Sequence, residues 1–162
     1  MFMNKFRVTF LIISLISSHS SIGSTLPSKI NWLPKAFSKK LESNDCKIPR
    51  VVEWEGNIKI KSKGIIVGQF AAPGQYDIAV MCNDKIFIHW GGPEKCPDEL
   101  SNRGESLGIP DEEEIQRYLK RYNNKEWPSE LTHDPLGMYL FGKSSFYQYC
   151  SKGKWLFSDG AD

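Results

Sequence analysis

Between residues 51 and 90, five short runs (51–54, 58–61, 65–70, 78–82 and 85–90) follow one another, each bounded by glycine, asparagine or a Pro-Gly pair. Each is rich in branched and aromatic residues and too short for a helix, so each reads as a strand. The turns between them cannot hold the dozen or so residues of a helical crossover, which makes the pairing antiparallel. This stretch is predicted to be an antiparallel meander, with Asn83-Asp84 closing the hairpin of its last two strands.

The flanks read differently. Residues 24–45 begin as a linker with Pro27 and Pro34. Leu33, Ala36, Phe37 and Leu41 then recur at helical spacing among lysines, which predicts a short amphipathic helix. Beyond the strands, Asp111 and Glu114 stand three apart as a capping box, and acids fill the first turn. Ile115, Tyr118, Leu119 and Tyr122 follow at i, i+3, i+4 and i+7. This second helix is predicted to stop at Asn123-Asn124, because Trp127-Pro128 cannot continue it. Residues 146–150, a turn at Ser151-Lys152-Gly153-Lys154, and 155–157 read as a final hairpin. Its aromatics, Phe146, Tyr147, Tyr149, Trp155 and Phe157, suit packing across strands better than a ligand platform. The expected fold is a single α+β domain over 46–162, mostly antiparallel, with one or two helices.

The first 23 residues have the layout of a secretory signal peptide. Lys5 and Arg7 precede the apolar run 8–16, and serines lead to Ser21-Ile22-Gly23, whose small Ser21 and Gly23 stand where a signal peptidase would cut. The run is shorter than the roughly 20 residues a membrane-spanning helix needs, which disfavours an anchor. It carries no cysteine for lipid attachment, so the mature chain is expected to begin near Ser24 with no stable membrane insertion, in the periplasm or outside the cell. Cleavage would reduce Lys plus Arg from 21 to 19 against 19 Asp plus Glu, leaving no net charge. A neutral domain lacks the basic excess that drives binding to a phosphate backbone, so nucleic acid is not expected as a partner. Lys59, Lys61 and Lys63 alternate along one strand and read as a solvated edge face.

Cys46, Cys82, Cys96 and Cys150 all follow the signal segment, and an even count in an exported chain predicts two disulfides. No C-x-x-C pair occurs and the spacings match no usual zinc module, so a zinc site is disfavoured. Of the three pairings, one joining Cys82 to Cys96 fits poorly, because Cys96 lies well past the residue facing Cys82 across the hairpin. Cys46 with Cys82 and Cys96 with Cys150 is the preferred arrangement.

Sites for chemistry are few. His133 lies in a loop beside Asp134, where an imidazole and a carboxylate could serve as general base and partner, with Asp77 brought near by folding. Adjacent side chains seldom reach that geometry, and Asp before Pro is a common turn initiator. His89, on a strand of apolar residues, reads as packed or half-exposed. The spacing from Gly137 to Ser144 matches a phosphate-binding loop, but a strand-like run follows where the motif requires a helix. No Gly-x-Ser-x-Gly elbow occurs. The acids 111–114 suit a helix start better than a glycosidase pair. No cofactor or metal site is read.

Gly68-x-Phe70-x-x-x-Gly74-x-x-Asp77 resembles the FG-GAP repeat of integrin-type propellers, whose loop supplies oxygen ligands to calcium. Here Ala71, Ala72 and Pro73 stand in that loop, so the ligands are missing, and Asp77 reads instead as a turn or strand-start residue accepting backbone N–H bonds. A broader likeness runs through Cys46-Lys47-Ile48-Pro49, Gly68-x-Phe70-x-x-Pro73-Gly74-Gln75-x-Asp77-x-Ala79-Val80-x-Cys82, Gly137, Gly153-Lys154-Trp155 and the ending Gly160-Ala161-Asp162. These motifs resemble a family of small, exported, uncharacterised bacterial proteins. The resemblance implies export and a disulfide between the first two cysteines, and transfers no catalytic residue. Two functions are carried forward. One is a non-enzymatic exported binding protein for an envelope or extracellular protein or a wall component. The other is a small exported hydrolase using His133 and Asp134.

Overall fold

A computed structural model describes residues 24–49, 64–122, 127–140 and 143–159. The signal segment 1–23, the strands expected at 51–54 and 58–61 with their lysines, the helix stop at Asn123-Asn124, Gly142 and the terminal Gly160-Ala161-Asp162 lie outside the described residues.

The architecture is α+β, with all sheets antiparallel. Strands β1 (Ser24–Thr25) and β2 (Ile48–Pro49) pair with each other. A meander runs β3 (Ile65–Gly68), β4 (Asp77–Cys82), β5 (Lys85–His89) and β6 (Glu99–Ser101). A second four-stranded sheet has the order β10-β9-β8-β7, built from β7 (Ser106–Gly108), β8 (Leu136–Tyr139), β9 (Ser145–Ser151) and β10 (Lys154–Asp159). The hairpin expected at the C-terminus is thus the edge of a larger sheet. Its partners β7 and β8 are short and glycine-bearing, which hides the two-residue alternation. Strand β9 begins at Ser145, so a strand follows Lys143-Ser144 where a phosphate loop would need a helix.

The β4 residues explain the layering. Successive strand side chains face opposite sides. Ala79 and Met81 join Ile86, Ile88, Leu107, Leu136 and Met138 in the core between the two sheets. Val80 and Cys82 face the other way and pack with Phe87, Phe37 and Leu41. A strand covered on both faces reads as a continuous apolar run, which is how 78–82 is written. A third cluster, Ile115, Trp127, Tyr147 and Tyr149, lies where helix α2 (Glu112–Tyr122) meets the second sheet.

Helix α1 (Lys35–Ser43) buries Phe37 and Leu41, one turn apart on one face. It ends as a Schellman turn: Cys46 N–H donates to Leu41 O at 3.0 Å and Asp45 N–H to Glu42 O at 3.0 Å, with Asp45 at φ 51°. That reversal delivers Cys46 to Cys82. The segment 24–45, expected as a linker and helix ahead of the domain, is therefore part of it: β1 pairs with β2, and Leu33, Phe37 and Leu41 complete a core. The disulfides join Cys46 to Cys82 and Cys96 to Cys150.

Local turn chemistry agrees with the hairpins. Asn83 at φ 49° turns β4 into β5, and Lys152 and Gly153 at φ 51° and 76° turn β9 into β10, the positive values a tight hairpin demands. In α2 the cap is half of the expected box. Asp111 Oδ1 accepts from Glu114 N–H at 2.7 Å, but the Glu114 carboxylate accepts from the Tyr139 and Tyr147 hydroxyls of the second sheet instead of returning to the cap. Burial, followed by the nearby negative charge for Tyr139 and the Glu114 hydrogen bond for Tyr147, raises both phenols far above their ordinary value. Among the described residues, no helix is long and apolar enough to cross a membrane.

Candidate functional site

Asp77 begins β4 and is 0% exposed. Its Oδ2 accepts from Phe70 N–H at 2.9 Å and Ala71 N–H at 3.2 Å; its Oδ1 accepts from Gly91 N–H at 2.9 Å and Gln75 Nε2 at 2.8 Å. The carboxylate therefore organises two loops and has no oxygen left bare. Around it, Gln69 Oε1 accepts from Gly74 N–H, and Gln75 Nε2 also donates to Glu94 O at 2.7 Å. The motif 68–82 is thus a scaffold that holds the chain beyond β5.

His133 belongs to a separate network. Its Nε2 donates to Cys150 O at 2.7 Å, since a carbonyl can only accept, so Nδ1 is the acceptor nitrogen. Facing Nδ1 are the hydroxyls of Thr132 at 3.0 Å and Tyr149 at 3.2 Å, and the ring stacks on Tyr149 with centroids 4.3 Å apart. Asp134 turns elsewhere: its Oδ2 accepts from Gln69 N–H at 2.7 Å, and its own N–H donates to Gln69 O at 2.9 Å. This pair of bonds stitches the end of β3 to the approach to β8. The three sequence candidates therefore do not form one hydrogen-bonded set. Burial lowers the His133 pKa, opposed by the Cys150 carbonyl and by the charges of Asp134 and Asp77.

That shift has a testable sign. The unfolded chain takes up the His133 proton before the folded one, so the stability contribution is present above the ordinary histidine value of 6.5 and is lost as pH falls through the lower folded value. Urea unfolding between pH 8 and pH 5 is expected to show stability falling toward acid, with a shallower fall in His133→Asn. Parallel curves for the two proteins would contradict the assignment.

A surface groove lies elsewhere, between α1 and the stretch leaving β5. This groove of about 410 Å³ is lined by Phe37, Lys40, His89, Trp90, Lys95 and Asp98, among others, a size within the range of small-ligand sites. The Phe37 and His89 rings lie 5.3 Å apart, and Trp90 packs on Trp155 at 5.9 Å. The wall formed by residues 90–98 has no regular structure over most of its length, yet it is tied down at Gly91, at Glu94 and over 96–98. Gly91 N–H is held by Asp77, Glu94 O by Gln75, and Cys96 by its disulfide to Cys150. Pro97 O accepts from Trp155 Nε1 at 2.8 Å, Asp98 O from Ile88 N–H at 2.8 Å, and the Asp98 carboxylate pairs with Lys40 at 2.6 Å. The Lys40 hydrogen bond holds the Asp98 carboxyl below its ordinary value. Gly91 must lack a side chain, because a Cβ there would lie 2.0 Å from Tyr76 O.

Gln75 Oε1 and Trp90 Nε1 in and behind this wall are buried without a hydrogen-bond partner among the described residues. Gln75, 8% exposed, abuts Gly92, itself part of the groove lining. The strand position of His89 is legible in the sequence, whereas the groove is not, because its residues come from α1, the end of β5 and the stretch beyond it. The available signal was Trp90-Gly91-Gly92-Pro93, an aromatic leaving a strand into a glycine-proline loop. Among the described residues, no group of three or more His, Cys, Asp or Glu is placed to hold a metal ion. No protein-family model matches the chain, and no curated protein or solved structure matches it.

Proposed function

We propose that this protein is an exported, non-enzymatic binding protein, resident in the periplasm or outside the cell, and that the groove beside α1 is its binding site. Its likeness to small exported bacterial proteins belongs to the same reading. The observation that carries the proposal is the anchoring of residues 90–98. A surface loop ordinarily needs no such restraint, whereas a recognition wall held rigid before binding loses less entropy when its ligand arrives. Two disulfides accord with an oxidising compartment. The partner is an envelope or extracellular protein or a wall component.

The test is crosslinking from an envelope fraction with the tagged, oxidised chain beside Trp90→Ala and a reduced control. One component recovered in near-equal amount, and lost in both controls, is the expected result. Capture indifferent to Trp90, or no specific capture, would overturn the groove as the site. A second reading, a small hydrolase using His133 and Asp134, draws support from the Thr132 hydroxyl lying 3.0 Å from Nδ1. Hydrolysis that disappears in His133→Ala would establish it instead.

A further inference from the structure

We propose that the occupant of this groove is a neutral carbohydrate, an inference that rests on the groove being the binding site. The half-buried His89 and Trp90 contribute aromatic ring surface, with the buried Phe37 packed beneath His89. The rim is ionic and alternates in hydrogen-bond sense: the Lys40 ammonium donates, the Asp98 carboxylate accepts, and the Lys95 ammonium donates again. Lys95 is close enough to Asp98 to help lower its pKa, so the carboxylate is flanked by both cations.

Three ligand chemistries can be weighed against that surface. A purely apolar group would cover the rim and strip water from three charges without replacing it. An anion could reach Lys95 but would lie beside the Asp98 carboxylate, which already holds Lys40 at 2.6 Å. A sugar ring meets both demands, because its axial C–H face lies on an aromatic ring while each hydroxyl donates and accepts along an alternating rim. Trp90 is suited to serve as the platform, since Trp155 backs it and the anchored wall fixes its position.

Titration calorimetry of the oxidised full chain tests this, using neutral tetrasaccharides of N-acetylglucosamine, glucose and mannose. A tetragalacturonate and an apolar tetrapeptide serve as comparators. At least one neutral sugar is expected to saturate the protein, and Trp90→Ala is expected to weaken it about tenfold or more, as for truncation of a central aromatic anchor. Because Trp90 also packs on Trp155, the exposed Lys95→Ala is the companion variant. It is expected to weaken binding severalfold while leaving the melting temperature unchanged. Absence of neutral-sugar binding up to about 10 mM, preference for the acidic sugar or the peptide, or binding unaffected by both variants would overturn the inference. If sugars fail while crosslinking still depends on Trp90, the carbohydrate assignment falls and the binding role stands. If both fail, the groove is not a site.

Discussion

Asp77→Ala is expected to cost about 4 kcal/mol or more of folding stability, near the upper end of what one substitution does. The change strips the acceptor from three backbone N–H groups, of Phe70, Ala71 and Gly91, and from one of the two bonds of Gln75 Nε2. Each buried donor left without a partner costs about 1–3 kcal/mol. Asp77→Asn should recover part of the loss, because one oxygen remains while the amide NH2 opposes donors. Urea unfolding of the oxidised protein measures both. A loss below about 1 kcal/mol for the alanine variant would show that the carboxylate does not organise these loops. Gly91 leads the groove wall, so hydrogen exchange around residues 91–94 should accelerate in the same variants, linking the motif to the site it supports.

The second large effect is expected from removing the Cys96–Cys150 bridge. The two residues lie 54 apart, and in the chain-entropy account a crosslink closing a loop of that length stabilises by about 4 kcal/mol. Cys96→Ser with Cys150→Ser is expected to lose about 2–5 kcal/mol in urea unfolding. Binding at the groove should weaken as well, because this bridge joins the wall to β9 next to the bonds of Pro97 and Asp98. Serine replacement of Cys46 and Cys82 should also destabilise, but through α1 and β4. A variant lacking Cys96–Cys150 with unchanged stability and unchanged groove binding would remove the structural role assigned to the bridge.

How legible each part was depended on whether its determinants are local. Strands β4, β5, β9 and β10 and helix α2 were readable because their periodicity, turn residues and cap lie within a few positions of one another. The hairpin at Asn83 disfavoured one of the three cysteine pairings, Cys82 with Cys96, and Asp77 could be read as a backbone acceptor from its place between a Pro-Gly turn and a strand. Strands β6, β7 and β8 were missed because three or four residues give too little alternation to register; their partners across the sheet make them strands. Glu114 had the spacing of a capping box, yet two tyrosines far along the chain took its carboxylate. Asp134 had the right neighbour for a catalytic pair, yet Gln69 took its oxygen.

By itself, the sequence determined the fold class and the presence of two crosslinks, because secondary structure rests on backbone geometry and on apolar residues recurring at fixed periods, and an even cysteine count in an exported chain pairs off. The tertiary structure alone decided that residues 24–45 complete a core and that the meander and the C-terminal strands pack face to face. It also decided that Phe37 and Lys40 meet Trp90, Lys95 and Asp98 across a groove. Those meetings join residues roughly 50 to 60 positions apart. No local pattern can encode them, since they arise only when burial of both faces of β4 brings α1 and the tethered wall together.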